Sequence, residues 1–378
     1  MSESTAGRTL CGVIVVLIPH AAGVVVEVSL DRLARELHAL AEQGVSVEEL
    51  TEVLCGAIGS QVAHDVLRLV HTNPAAGLWL GSLRGWHRDG PELAEELVLD
   101  RFADGDPCRP DDLARRPVPV GVVGVGGGDG PRQRRTREIL AAHGVGSELR
   151  LLVRDRRGVW GFVGVARAEG ARPFDQDEMA RLARLGPVLA ATFRTFMGAQ
   201  PLAPGVPALP AGVIIVGADH TVQQISPQAK EWLEQVWLPR QRGVTERALA
   251  PFAAEISHHT RENIADPGAW KPWMCLSKTS AGRWIALQGQ PLDADGSGEV
   301  AIVVQAAGGE LLLTSFCHWH EITARERQVI EQLCTATPPK RIARALEMSV
   351  HTVNQHLKTI YRKTGADGRD ELLAALAS

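Results

Sequence analysis

Residues 349–365, SVHTVNQHLKTIYRKTG, read as a single helix with both ends marked. Ser349 stands where an N-cap hydroxyl would accept from the first free backbone N–H groups. Gly365 stands where a left-handed residue ends a helix. Between them Val350, Val353, Leu357 and Ile360 recur at three- and four-residue spacing and form one apolar face. His351, Asn354, Gln355, Lys358 and Arg362 recur at the same spacing on the opposite face, and no acid interrupts them. A solvated surface helix usually mixes both charge signs, whereas this one carries Lys358, Arg362 and Lys363 with no Asp or Glu. An α-helix fits the major groove of duplex DNA, and Asn, Gln and Lys side chains suit base edges there.

The flanking residues complete a small helical module. Thr323-Ala-Arg-Glu326 is a capping-box pattern opening a helix with Val329, Ile330 and Leu333 inward. Thr337 reads as an N-cap with Pro338 at the first helical position, followed by Ile342, Ala343 and Leu346 on one face. Ala343 is small enough for the next helix to cross closely, and Glu347-Met348 makes the turn. Asp367 reads as the cap of a fourth helix with Leu372, Leu373 and Leu376 apolar. One short partner helix covers little of that face, so a two-fold contact between last helices is expected. From Glu321 onward there are nine Lys/Arg against seven Asp/Glu, a net +2. The whole chain carries −4, so the remainder carries −6: a mildly basic module on an acidic body.

Residues 322–330 (ITARERQVI), 341–343 (RIA), 349–360 (SVHTVNQHLKTI) and 363–365 (KTG) resemble the DNA-binding domain of LuxR-type regulators over residues 321–377. The resemblance implies a four-helix helix-turn-helix domain, with Asn354, Gln355 and Lys358 facing bases and Arg362 on the same polar face. It makes Thr352, His356 and Lys363 phosphate-facing or scaffold-bracing. Asn354 departs from a frequent Lys or Arg, Arg341 from a common acid, and Ala336 with Thr337-Pro-Pro339 from a glycine-containing turn. Expected partners are duplex DNA, a second copy of the chain, a small-molecule effector and RNA polymerase. No membrane is expected, and the compartment is cytoplasmic. The competing reading is a small-molecule or partner-binding sensor whose tail no longer binds DNA.

The 378 residues are too many for one compact core. The chain is read as a multidomain α+β sensor body ahead of the helical tail. Residues 1–29 are read as a poorly ordered extension, since Pro19, His20, Gly23 and Glu27 break the apolar run that a membrane span would need. Helices are expected over 30–41, 47–70, 92–102, 132–142 and 175–197, the last opened by Asp175 and Glu178 as a capping box. A strand over 75–82, a glycine-rich loop over 117–130 and a hairpin of 148–155 with 159–168 lie among them. Residues 158–166 with Pro173-Phe-Asp-Gln-Asp-Glu178 resemble a GAF domain, placed at 30–198. A Pro-rich linker at 199–211 follows. Strand 212–217, a turn, strand 221–225, a helix from Ser226-Pro227 to Trp237 and paired strands 283–290 and 299–306 resemble a PAS domain over 212–307. Residues 308–320 are read as a hinge, pivoting at Cys317–His320, that lets the body hold the tail in check.

Other motifs point to no catalysis. The run 121–128 lacks the Lys-Ser or Lys-Thr of a phosphate loop. There is neither a GxSxG elbow nor an HExxH. Cys317-His-Trp-His320 offers three donors in four residues without an evident fourth, and His258-His259 is a weak pair, so neither metal nor cofactor is expected. Of the cyclic-nucleotide GAF motif only Phe174, Asp177 and Glu178 remain. The six cysteines lack CxxC spacing, and the tryptophans are read as core. The chain is read as a non-enzyme.

Overall fold

The computed structural model describes residues 30–72, 81–87, 91–102, 106, 108–124, 131–199, 202, 208–236, 245–265, 274–278 and 283–377. The expected extension at 1–29 lies outside them, as do most of the linker and the glycines at 125–130. No described helix is long and apolar enough to cross a membrane.

The first unit opens with α1 (Leu30–Glu42) and α2 (Val47–Gly59) and continues through β1 (Val66–Thr72), β2 (Gly81–His87), α3 (Pro91–Phe102), α4 (Pro110–Arg115), β3 (Val120–Val123) and α5 (Pro131–Ala142). It closes with β4 (Val145–Asp155), β5 (Gly158–Ala168) and α6 (Gln176–Gly198). The strands form one antiparallel sheet in the order β2-β1-β5-β4-β3. The β4–β5 hairpin closes at Asp155 opposite Gly158. Asp175 caps α6 through a capping box with Glu178, whose carboxylate also takes Arg167 at 2.6 Å. That occupies the acid which echoed a nucleotide motif.

Two sequence expectations change here. The helix over 47–70 stops at Gly59, and Val66–Thr72 is a strand instead. Val66–His71 pairs with Ala166–Gly161, a partner about a hundred residues away that helical periodicity cannot register. Part of the expected glycine-rich loop is strand β3, paired with Glu148–Leu151 of β4. The expected strand over 75–82 falls mostly outside the described residues, and β2 begins at Gly81.

Both faces of this sheet are covered. Leu67, Leu69, Leu149, Leu151, Val163 and Val165 pack under α1, α2 and α6. Leu152, Phe162 and Ala166 pack with Leu93, Leu113 and Leu140 of α3, α4 and α5. Buried at this second face is a charged quartet. Arg68 pairs with Glu148, Arg150 donates to Glu148 at 2.9 Å, and both oxygens of Asp106 lie 2.7 Å from Arg150. Gly164 makes room for it, since a Cβ there would collide with the Glu148 carboxylate. Burial opposes ionisation of Glu148, yet Arg150 and Arg68 outweigh it and hold its pKa below the ordinary value.

The second unit holds β6 (Gly212–Val216), β7 (Val222–Ile225), α7 (Pro227–Val236), α8 (Thr245–Ala265), β8 (Met274–Lys278), β9 (Trp284–Pro291) and β10 (Val300–Ala306). α8 and β8 add to the expected elements. Its sheet runs β7-β6-β10-β9-β8, the same relative order as the first. Trp232 is fully buried against α8 and the inner face of this sheet.

The segment read as a hinge, 308–320, is largely helical. Residues Glu310–Trp319 form α9, with Leu312, Phe316, Cys317 and Trp319 buried, and the helix ends in a buried His320. Trp319 stacks on Trp284 of β9 with ring centroids 4.1 Å apart. Apolar residues flanked by histidines read as a joint because the surface they meet comes from other units. The helical tail follows as α10 (Ala324–Cys334), α11 (Pro339–Ala345), α12 (Val350–Thr364) and α13 (Arg369–Ala377).

Candidate nucleic-acid interface

α12 is held at both ends and along one face. The Ser349 hydroxyl accepts from the Thr352 N–H at 3.0 Å, and Gly365 closes the helix at φ 75°. Val353, Leu357 and Ile360 are buried against Val329, Ile330, Leu333, Ile342 and Ala343. Val350 departs from its expected place, being 38% exposed at the first turn. The turn from α11 uses Glu347 at φ 54°, with Met348 N–H donating to Ala343 O at 2.9 Å. α11 begins one residue later than expected: Pro338 is the N-cap and Pro339 the first helical residue. α13 likewise starts after Gly368, whose carbonyl accepts from Leu372, while the Asp367 N–H donates to Glu371.

His351, Asn354, Gln355, Lys358 and Arg362 are all exposed. Thr352 and His356 are half-buried, and the Thr352 hydroxyl lies 2.9 Å from that of Ser349. Lys363 is different. Its ammonium donates to Glu326 Oε2 at 2.6 Å and to Glu321 O at 2.8 Å, which joins the end of α12 to the start of α10. Glu326 also completes the capping box with Thr323. Burial would raise the Glu326 pKa, but the bonds from Lys363 and the Thr323 backbone bring it below the ordinary value. Sequence spacing puts Lys363 near the polar face; only the fold shows its charge paired internally.

Glu321 links this domain to the first unit. Its carboxylate lies 3.1 Å from Arg157 at the β4–β5 turn and 3.3 Å from Arg194 of α6. The apolar face of α13 is also accounted for within the chain. Leu372 and Leu376 are buried, Leu373 is partly buried, and the Gly309 N–H donates to Leu376 O at 2.7 Å. The surplus that suggested a two-fold contact through these leucines is therefore largely absent. Cys317, His318 and His320 do not converge as metal donors, and burial pushes the Cys317 thiol up to about 11.

Four short helices, with an exposed, acid-free third helix packed across the second, define a helix-turn-helix module. Residues 320–376 match the family profile described as bacterial regulatory proteins, luxR family. The chain thus carries a LuxR-family DNA-binding domain behind a mixed helix-and-sheet body. No curated protein matches it. Among solved structures it is similar to the phycoerythrobilin-bound GAF domain of a cyanobacterial phytochrome, at 16% identity and TM-score 0.32 over 45% of this chain and 97% of that one. It is also similar to Escherichia coli SdiA, at 12% identity and TM-score 0.32 over 92% and 96% of the two chains. A third is VqmA of Vibrio cholera in a ligand–DNA complex, at 19% identity and TM-score 0.21 over 44% and 81%. At these scores no ligand or residue role carries across.

Proposed function

We propose that the exposed face of α12 reads duplex DNA, with Asn354, Gln355 and Lys358 toward base edges and Arg362 beside them. The observation that supports this reading is a solvent-open polar stripe without an acid on a helix fixed at both ends. Thr352 and His356, half-buried at its margin, are assigned to phosphates. Lys363 is not, because its ammonium is bonded within the domain. Two copies place two such helices on half-sites about one DNA turn apart. Their contact is assigned to the body rather than to the covered leucines of α13. The two sheet units form the sensor body, responding to a small-molecule effector. An effector acts only by its differential affinity for two states. Here those states would differ at the joint of α6, α9 and Glu321, since the recognition face is exposed rather than masked by the body.

The test selects DNA from a randomised duplex pool with the full chain and then measures affinity against salt. Lys358→Ala is expected to weaken binding by about 1–3 kcal/mol per contact and to flatten the salt dependence. Unchanged affinity in a folded Lys358→Ala protein removes α12 from the interface.

A further inference from the structure

Outside the DNA-binding domain, one cluster of side chains has the composition and spacing of a metal site. His258, His259 and Glu262 lie near the end of α8. On a helix, successive residues are about 100° apart, so a residue four positions after His258 projects between His258 and His259. The structure realises this. Glu262 Oε1 is 3.3 Å from His258 Nε2, and its Oε2 is 2.8 Å from His259 Nδ1. One donor atom from each residue lies within 4.8 Å of the others, the one such converging group of His, Cys, Asp and Glu among the described residues.

The surroundings add a third imidazole. His220, in the β6–β7 turn, stands edge-on to His258 with ring centroids 5.7 Å apart, and His258 and His259 are 5.3 Å apart. His220 is held at φ 65°, and its Nδ1 lies 3.1 Å from the Ser257 hydroxyl and 2.8 Å from Arg261. The positive charge of Arg261 is anchored on the Gly217 and Gly298 carbonyls at 2.9 and 2.6 Å.

We propose that His258, His259 and Glu262 bind a divalent transition ion of the zinc, cobalt or nickel type. Two imidazoles with one carboxylate suit borderline metals, whereas calcium and magnesium take oxygen ligands. Bond lengths of about 2.0–2.2 Å to three donors need only small side-chain rotations from the observed separations, and water fills the remaining position. A metal-bound imidazole nitrogen must offer a lone pair rather than a proton, so protons compete with the ion and binding weakens as pH falls. His220, Ser257 and Arg261 face the cluster from the turn and from α8 itself; Arg261 limits the affinity by repulsion. The site is independent of the DNA reading and stands or falls without it. It also departs from the sequence expectation, in which His258-His259 is too short a motif to count. The carboxylate that completes it is visible only once the segment is known to be helical.

The test titrates the full chain, stripped with a chelator, with cobalt(II) and with zinc(II). The expected result is one equivalent bound at about 100 µM metal or below, with cobalt absorption bands of a nitrogen-and-oxygen environment. His258→Ala/His259→Ala is expected to lose at least about tenfold in affinity, and Glu262→Gln a smaller factor. Glu262 is exposed, so its variant carries the test should the double variant not fold. The proposal is overturned if the wild type takes up no cobalt or zinc in this range. It is equally overturned if the folded variants bind as tightly as the wild type, which places the metal elsewhere.

Discussion

The two sheets of this protein share one strand order and differ in what lies against them. In the first, helices cover both faces, and β4 and β5 are buried almost continuously. In the second, the helices α7 and α8 take one face, and the other is covered at β9, where Trp284 and Ala286 are buried with Trp319 of α9, but stays open at β6. Along β6, Ile214 and Val216 point into that core, while Val213 is 38% exposed and Ile215 is half-buried. An antiparallel sheet is free to keep one wet face, and its strands then alternate. Covering the second face removes the alternation and buries whatever polar residues occupy it. The first sheet meets that problem with two arginines and two carboxylates, so the quartet of Arg68, Glu148, Arg150 and Asp106 leaves no net charge in the interior. Buried pairs of this kind are weak sources of stability, but removing one partner is costly because the other charge stays buried.

That difference can be broken most sharply at Glu148. Glu148→Gln takes from Arg68 its ion pair with Glu148 and leaves Arg150 paired with Asp106 alone, and a loss of about 3–5 kcal/mol in chemical denaturation is expected. Near-normal stability would mean that water reaches the quartet and that the second face of the first sheet is not closed.

The pH dependence sharpens the same contrast. His71 on β1 is fully buried beside Phe193, and burial pushes its pKa from 6.5 down to about 3. The unfolded chain therefore takes up a proton below pH 6.5 that the folded chain refuses. Stability falls as pH drops through that window, with a limiting slope of about 1.4 kcal/mol per pH unit from this one group. Glu148 has a depressed pKa, so its contribution is present above the ordinary carboxylate value and is lost at lower pH, as the folded carboxyl takes up its proton. Denaturation at pH 7, 6 and 5 measures the first window. A flat profile there would remove His71 from the closed core.

In the second sheet the sensitive point is steric. Gly212 on β6 has the backbone of Ala229 in α7 directly over it, and a Cβ there would collide with the Ala229 nitrogen and Cα. Gly212→Ala is expected to cost about 1–3 kcal/mol, since a helix backbone yields less than a flexible side chain. Its neighbour Val213 faces solvent, and Val213→Thr should stay within about 0.5 kcal/mol. Equal effects at the two positions, read by thermal melting, would show that the outer face of this sheet is covered at β6 as well as at β9.

The local features of the chain are legible because they are decided within a few residues. Capping boxes at Thr323–Glu326 and Asp175–Glu178, the Ser349 cap and the Gly365 stop all form as the spacing implies. So does the polar stripe of α12, which is why the candidate site can be read from residue spacing alone. The expectations that fail are those that depend on distant partners. Nothing near Val66 distinguishes the end of a helix from a strand; its pairing with Ala166 decides. For Lys363 the family resemblance left phosphate-facing and scaffold-bracing both open, and only the placing of Glu326 and the Glu321 carbonyl beside it shows the bracing bonds.

The amino-acid sequence alone determined, to within a residue, where helices begin in the tail, and which side of α12 is polar, because caps and helical spacing act over one or two turns. Tertiary structure alone decided that Arg68, Glu148 and Arg150 are interior, that residues 310–319 form a helix with a buried face, and that the leucines of α13 are covered. Burial is a property of the surface a segment meets, and those surfaces come from residues far away along the chain. A short-range pattern records which faces are apolar, but not which neighbour arrives to cover them.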